Sequence, residues 1–104
     1  MIRKQINRPK ITNLLGGWTK LYLNSEYVQK YISDCLKTLN KEEIQILPEN
    51  LNIRVYIAAA QIVHGTNIYL EFSILNLNLF VQCSMYIKPG KEANVQQLYI
   101  QKIY

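Results

Sequence analysis

Leu51-Asn52-Ile53-Arg54-Val55-Tyr56-Ile57-Ala58-Ala59-Ala60-Gln61-Ile62, then Val63-His64-Gly65, then Thr66-Asn67-Ile68-Tyr69-Leu70-Glu71-Phe72-Ser73-Ile74-Leu75, is the stretch that decides the fold. Two runs rich in β-branched and aromatic residues flank a Gly, the pattern of a β-hairpin. In the second run Ile68, Leu70, Phe72 and Ile74 alternate with Tyr69, Glu71 and Ser73, the two-residue period of a strand. The first run is less clear. Ile53, Val55, Ile57 and Ala59 mark one face, and Tyr56, Ala58, Ala60 and Ile62 the other. Small Ala side chains let a helix cross closely, so the Ala58/Ala60 face is read as the inner one. The tip is unusual in one respect. Ile62 and Val63 are stiff and apolar where Asn, Asp, Gly and Ser are the usual residues. Apolar side chains on a loop suggest a surface built to enter another molecule's groove.

Outward from this hairpin the pattern continues on both sides. Asn76-Leu77-Asn78 is a turn signal. Leu79, Val81, Cys83, Met85 and Ile87 then alternate against Phe80, Gln82, Ser84 and Tyr86, which places Cys83 inward. Lys88-Pro89-Gly90-Lys91 is a strong turn signal, extended by Glu92-Ala93-Asn94. Val95–Ile103 reads as a last strand with Leu98 and Ile100 inward. Upstream, Pro48 ends any regular element in the Ile44–Asn50 connection. Val28, Ile32, Cys35, Leu36 and Leu39 form one apolar stripe of an α-helix over about residues 25–41. Asn24 and Ser25 suit its N-cap, and Glu26 suits its first turn. A short strand near Trp18–Leu23 can pair with the others. Leu14-Leu15-Gly16-Gly17 is either a hinge or a pliable apolar arm anchored by the two Leu. Residues 1–13 are polar and aperiodic and are expected to form a flexible basic N-terminal arm. The class is α+β: hairpin-joined strands leave one face to cover, and one amphipathic helix meets that need.

Composition narrows the function classes. At 104 residues, with 49% hydrophobic and 18% charged side chains, the chain fits one globular domain and not a disordered one. The net charge is +5, but it is spread out. The only local enrichment, Arg3, Lys4, Arg8 and Lys10, falls in the arm and reads as a solvated tail. Nucleic-acid binding is therefore the weaker reading. No apolar run reaches the length of a membrane span, and no signal-peptide core follows Met1. A secreted mature chain is preferred over a cytoplasmic one. Cys35 and Cys83 are too few for a disulfide framework or a zinc site. Buried thiols are the preferred reading, with one disulfide as the alternative. His64 is the only histidine.

Taken in chain order, three motifs resemble the landmarks of the cystatin family, inhibitors of papain-like cysteine proteases. Leu14-Leu15-Gly16-Gly17 is similar to the family's N-terminal glycine preceded by apolar residues. Gln61-Ile62-Val63-His64-Gly65 is similar to its Gln-x-Val-x-Gly first hairpin. Lys88-Pro89-Gly90 stands where the family has Pro-Trp in the second hairpin. The resemblance covers residues 14–104 and is closest to disulfide-poor, single-domain members. It implies a single cystatin-like domain over 14–104, an antiparallel meander of four to five strands wrapped around one N-terminal α-helix. It also implies a wedge of three segments that blocks the active-site cleft of cathepsin L-, B- or S-type enzymes. The implied inhibition is reversible, competitive and tight.

The protease-binding residues carried over are Leu14, Leu15, Gly16, Gly17, Gln61, Ile62, Val63, His64, Gly65, Pro89 and Gly90. Gly65 would allow the tight turn, and Gln61 would satisfy backbone groups at the loop base. Val63 would face the cleft wall, and Leu14 and Leu15 would fill substrate-side pockets. No catalytic residue, cofactor or metal is implied, so the chain is not expected to be an enzyme. A monomer is implied, with a domain-swapped dimer as the alternative if Val63 is held under strain. Two departures matter. Gly90 replaces a Trp, which should weaken the second hairpin's share of binding. Ile44 stands near the position where some relatives carry the Asn used against legumain, so that activity is not expected. A fold-alike binding module without inhibition, and a basic nucleic-acid-binding domain, are the competing readings.

Overall fold

The computed structural model describes residues 4–42 and 50–103. Strand β1 (Trp18–Lys20) is followed by helix α1 (Glu26–Glu42) and strands β2 (Ile53–Val63), β3 (Gly65–Ile74), β4 (Leu79–Ile87) and β5 (Ala93–Lys102), with a 3-10 turn at Leu75–Leu77. The strands form one antiparallel sheet in the order β1-β2-β3-β4-β5. The α+β class therefore holds, with five strands. The connection holding Ile44 and Pro48 lies outside the described residues.

Helix α1 begins where its sequence directs. Ser25 Oγ accepts a hydrogen bond from the Val28 N–H at 3.2 Å, satisfying one of the first-turn donors that the helix itself leaves unpaired. Val28, Ile32, Cys35 and Leu39 then bury the expected stripe against Ala58, Ile68, Leu70, Phe72, Val81, Cys83 and Leu98 of the sheet. Burial at about 25 cal/mol per Å² of apolar surface is what holds helix to sheet. Cys35 and Cys83 meet in this core as free thiols.

The ambiguity of β2 has a physical origin. Its register slips between Val55 and Ile57, leaving Tyr56 as an extra, bulged residue. A bulge reverses the alternation of faces. Ile53 and Val55 pack on the helix side before it, and Ala58 and Ala60 do so after it. Both candidate faces were thus half inner, and no single period fits the run. A second slip falls between Ser84 and Met85 on the β4–β5 ladder.

The outer face of the sheet carries a second departure. Tyr69, Glu71, Ser73 and Gln82 point away from the helix, yet all are buried. The cover over its centre is the N-terminal segment. Ile6 hydrogen-bonds to Gln82, and Arg8 pairs with Glu71. Residues 6–11 are thus bound across the sheet, not left as the solvated tail the composition suggested. The reason lies in the sheet: a buried carboxylate needs a cation and hydrogen bonds, and Arg8 supplies both.

Candidate functional site

Register places three connections at one end of the sheet. Trp18 at the start of β1 pairs with Gln61 near the end of β2. The β2–β3 hairpin closes at Val63↔Gly65. Thr66 pairs with Ile87 at the end of β4, and Ile87 pairs with Ala93 across the β4–β5 turn. The residues before Trp18, the first hairpin and the Lys88–Lys91 turn therefore share an edge. With strands about 4.8 Å apart, its length from β1 to the β4–β5 turn is about 17 Å. All eleven residues singled out from the sequence lie along this edge.

Gln61 ties the first two parts together. Its Nε2 donates to the Gly16 carbonyl at 3.2 Å, and its Oε1 accepts from Asn67 Nδ2 at 3.1 Å. One amide thus bridges the N-terminal loop to the far leg of the hairpin, which only a side chain with both donor and acceptor can do. The loop base does involve Gln61, although its backbone partner is Gly16 and not the hairpin itself.

The first hairpin rests on β4. Gly65 has φ 98°, and a Cβ there would stand 2.5 Å from the Ile87 carbonyl oxygen and 2.6 Å from the Tyr86 hydroxyl. The Tyr86 hydroxyl donates to the His64 carbonyl. Position 65 must therefore be Gly for two separate reasons, conformation and space. The positive φ of this turn falls on Gly65. Val63 does not have one, so no left-handed backbone strain falls on it. Ile62, Val63 and His64 are exposed at the tip. Tyr86 and Asn67 were not legible as supports, because each acts through a cross-strand neighbour and not through a sequence motif.

The N-terminal part differs from a free arm. Thr12 and Asn13 both donate their N–H to the Trp18 carbonyl at 3.0 Å, and Gly17 N–H donates to the Leu14 carbonyl at 2.9 Å. Asn13 Oδ1 accepts from the Lys20 N–H at 3.3 Å. Ile11 bridges Trp18 directly. A Cβ at Gly17 would lie 2.2 Å from Thr12 Oγ1 and 3.3 Å from the Leu14 carbonyl oxygen, so a larger residue there would require the Thr12 side chain to turn away. The result is a closed loop that displays Leu14 and Leu15 at its tip, both exposed, Leu15 completely. Trp18 is half-buried on the edge strand.

The β4–β5 turn is closed by Lys91 N–H to Lys88 carbonyl at 3.0 Å, with Gly90 at φ 72° and no heavy atom within 4 Å of its would-be Cβ. Pro89 and Gly90 occupy the central positions, the arrangement of a type II turn. Lys88 to Lys91 are all exposed.

Taken together, the edge displays exposed apolar side chains on its loop and first hairpin, and an exposed Lys88–Lys91 turn at its other end. Among the described residues, no group of three His, Cys, Asp or Glu side chains converges to hold a metal ion, and no helix is long and apolar enough to cross a membrane. No protein-family model matches the sequence, and no curated protein matches it.

Proposed function

We propose that this chain has a cystatin-like fold and is a reversible, competitive inhibitor of papain-like cysteine proteases of the cathepsin L, B or S type. The observation that carries the reading is the edge itself. Leu14 and Leu15, Ile62 and Val63, and the Lys88–Lys91 turn come from three distant parts of the chain and share one end of the sheet. Exposed apolar side chains gathered on a rigid projection suit insertion into an apolar cleft. The order of elements, one helix between the first and second strands of a five-stranded meander, supports the fold assignment.

On this reading the chain does no chemistry. The edge fills the cleft and covers the catalytic thiol, offering no peptide bond in an attackable geometry. Leu14 and Leu15 enter substrate-side pockets. Ile62 and Val63 lie against the cleft wall, with His64 and Gly65 beside them. Gly16, Gly17 and Gln61 shape the support, and Pro89 and Gly90 touch the far side.

The test is titration of the full chain against papain and cathepsin L-, B- and S-type enzymes with a small peptide substrate. Competitive inhibition in the nanomolar to micromolar range is expected. A folded protein that leaves all four enzymes untouched at high micromolar concentration would refute the proposal and leave a binding module of the same shape.

A further inference from the structure

The N-terminal segment crosses the outer face of the sheet on a built polar receptor. Ile6 donates its N–H to Gln82 Oε1 at 3.0 Å, and its carbonyl accepts from Gln82 Nε2 at 2.8 Å. One side-chain amide thus reads the backbone of the segment as a neighbouring strand would. Two residues on, Arg8 donates from Nε and Nη2 to the two carboxylate oxygens of Glu71, the second bond measuring 2.9 Å. Such a two-pronged pair fixes direction as well as position. Glu71 and Gln82 are register partners across β3 and β4. Tyr69 links them, donating to Glu71 Oε2 at 2.5 Å and accepting from Gln82 Nε2 at 2.6 Å.

This receptor is not a solvated surface that happens to meet a tail. Tyr69, Glu71 and Gln82 are each buried to 2% exposure or less, and their polar side-chain atoms are bonded to one another or to the segment. Without the segment, Glu71 would lose its charge partner. The five steps from Ile6 to Ile11 carry the chain from Gln82 over Glu71 to the Ile11–Trp18 bridge, where the Leu14–Leu15 loop begins.

We infer that Arg8, Glu71 and Gln82 form a clamp that positions the Leu14–Leu15 loop on the edge of the sheet. The loop has two ends. The β1–β2 ladder fixes the Trp18 end; the Ile11 end is held by its bridge and by hydrogen bonds to Trp18 and Lys20, with the clamp anchoring the segment behind them. Arg8, Glu71 and Gln82 touch no protease on the reading under "Proposed function", on which this inference rests for its consequence. They act by removing the ordering that the loop would otherwise undergo on binding. A released segment would leave that end held only by its contacts with Trp18 and Lys20, which would then open more often.

The test uses the full chain and three variants, Arg8→Ala, Glu71→Gln and Arg8→Lys. Two measurements are made. The first is amide hydrogen exchange at Thr12, Asn13 and Gly17, which needs no protease. In Arg8→Ala and Glu71→Gln, exchange at these amides should rise about 10-fold or more, with β2 and β3 amides unchanged. Arg8→Lys keeps the charge but loses the fork, and should fall between wild type and Arg8→Ala. The second measurement is inhibition of papain, which should weaken about 10-fold through faster dissociation. Unchanged protection of the loop amides would overturn the clamp. So would a rise in exchange shared by the whole sheet, because that reports lost stability and not a released segment. A wild-type chain that does not inhibit, with loop protection still dependent on Arg8, would sink the inhibitory reading and leave the clamp standing.

Discussion

Gly65→Ala tests how the first hairpin is held, and its cost can be worked from two contacts. At φ 98° an L-residue takes up a left-handed conformation at about 1–2 kcal/mol. The new methyl group would also stand 2.5 Å from the Ile87 carbonyl oxygen and 2.6 Å from the Tyr86 hydroxyl. Tyr86 can swing away, but it then gives up its hydrogen bond to the His64 carbonyl, worth about 1 kcal/mol. Ile87 is main chain in the β3–β4 ladder and cannot move without opening its pairing with Thr66. The expected loss is about 3 kcal/mol, or roughly 12–24 °C in Tm for a domain of this size. Gly90→Ala is the control. Its φ of 72° carries the same conformational cost, but no heavy atom lies within 4 Å of the new methyl, so only that about 1–2 kcal/mol is expected. Urea unfolding of both variants beside wild type, with equal m values, gives the comparison directly. If Gly65→Ala costs no more than Gly90→Ala, the hairpin does not rest on β4 and the argument from space fails.

Three further outcomes are expected. Leu15→Ala should leave stability within about 0.5 kcal/mol, because the side chain is fully exposed, yet weaken inhibition roughly 10- to 100-fold; equal inhibition constants would remove Leu15 from the binding edge. Burial, aided by the Cys83 thiol, pushes the Cys35 thiol well above its usual range. Native protein should therefore resist a thiol reagent at pH 8 and take up two equivalents on unfolding, whereas fewer than two would show the cysteines already bonded. Burial and the adjoining Glu71 carboxylate raise the Tyr69 phenol above its ordinary value. The folded state then holds that proton to higher pH than the unfolded chain, so the stabilisation is complete below about pH 10 and is lost as pH rises beyond it. Wild type should lose stability above pH 10 more steeply than Tyr69→Phe, and parallel curves would contradict this.

Much of the layout was legible because its signals are local. The stripe Val28, Ile32, Cys35, Leu36, Leu39 needs only helical spacing, and Ser25 needs only its place three residues before the Val28 amide. The alternation of β3 and β4, and the turn at Pro89-Gly90, are equally short-range. What the sequence hid depends on contacts between distant residues. The β2 bulge at Tyr56 appears in the sequence as two competing faces, and only the register with β3 resolves them. Arg8 and Glu71 are 63 positions apart, and nothing near either marks the pair. Glu71 did carry a trace of it, as a carboxylate between Leu70 and Phe72 in a strand with few other charges. Of the candidate edge, the motif residues were legible one segment at a time. Their supports, Tyr86, Asn67 and Asn13, were not, because each bonds to another element: Tyr86 and Asn13 to backbone, Asn67 to the Gln61 side chain.

The absence of Trp at position 90 gains a different meaning once the edge is seen whole. The apolar side chains gather at the β1–β3 end, where Leu14, Leu15, Ile62 and Val63 project. The β4–β5 end presents Lys88 and Lys91 about an exposed Pro89-Gly90 turn. The edge is therefore divided, apolar at one end and cationic at the other. On the proposed function, burial at the first end supplies the grip, and the second end, which carries no large apolar side chain, adds less. Gly90 also cannot be exchanged for Trp freely, because φ 72° would cost the new residue about 1–2 kcal/mol. That cost would fall on folding, whereas a buried interface Trp, worth about 2 kcal/mol or more, would act on binding. The turn is built around Gly, and on the proposed function the binding load falls on the loop and first hairpin. That is also where the structure spends its supports: Gln61 spanning the two, Tyr86 beneath the hairpin and the Arg8 clamp behind the loop.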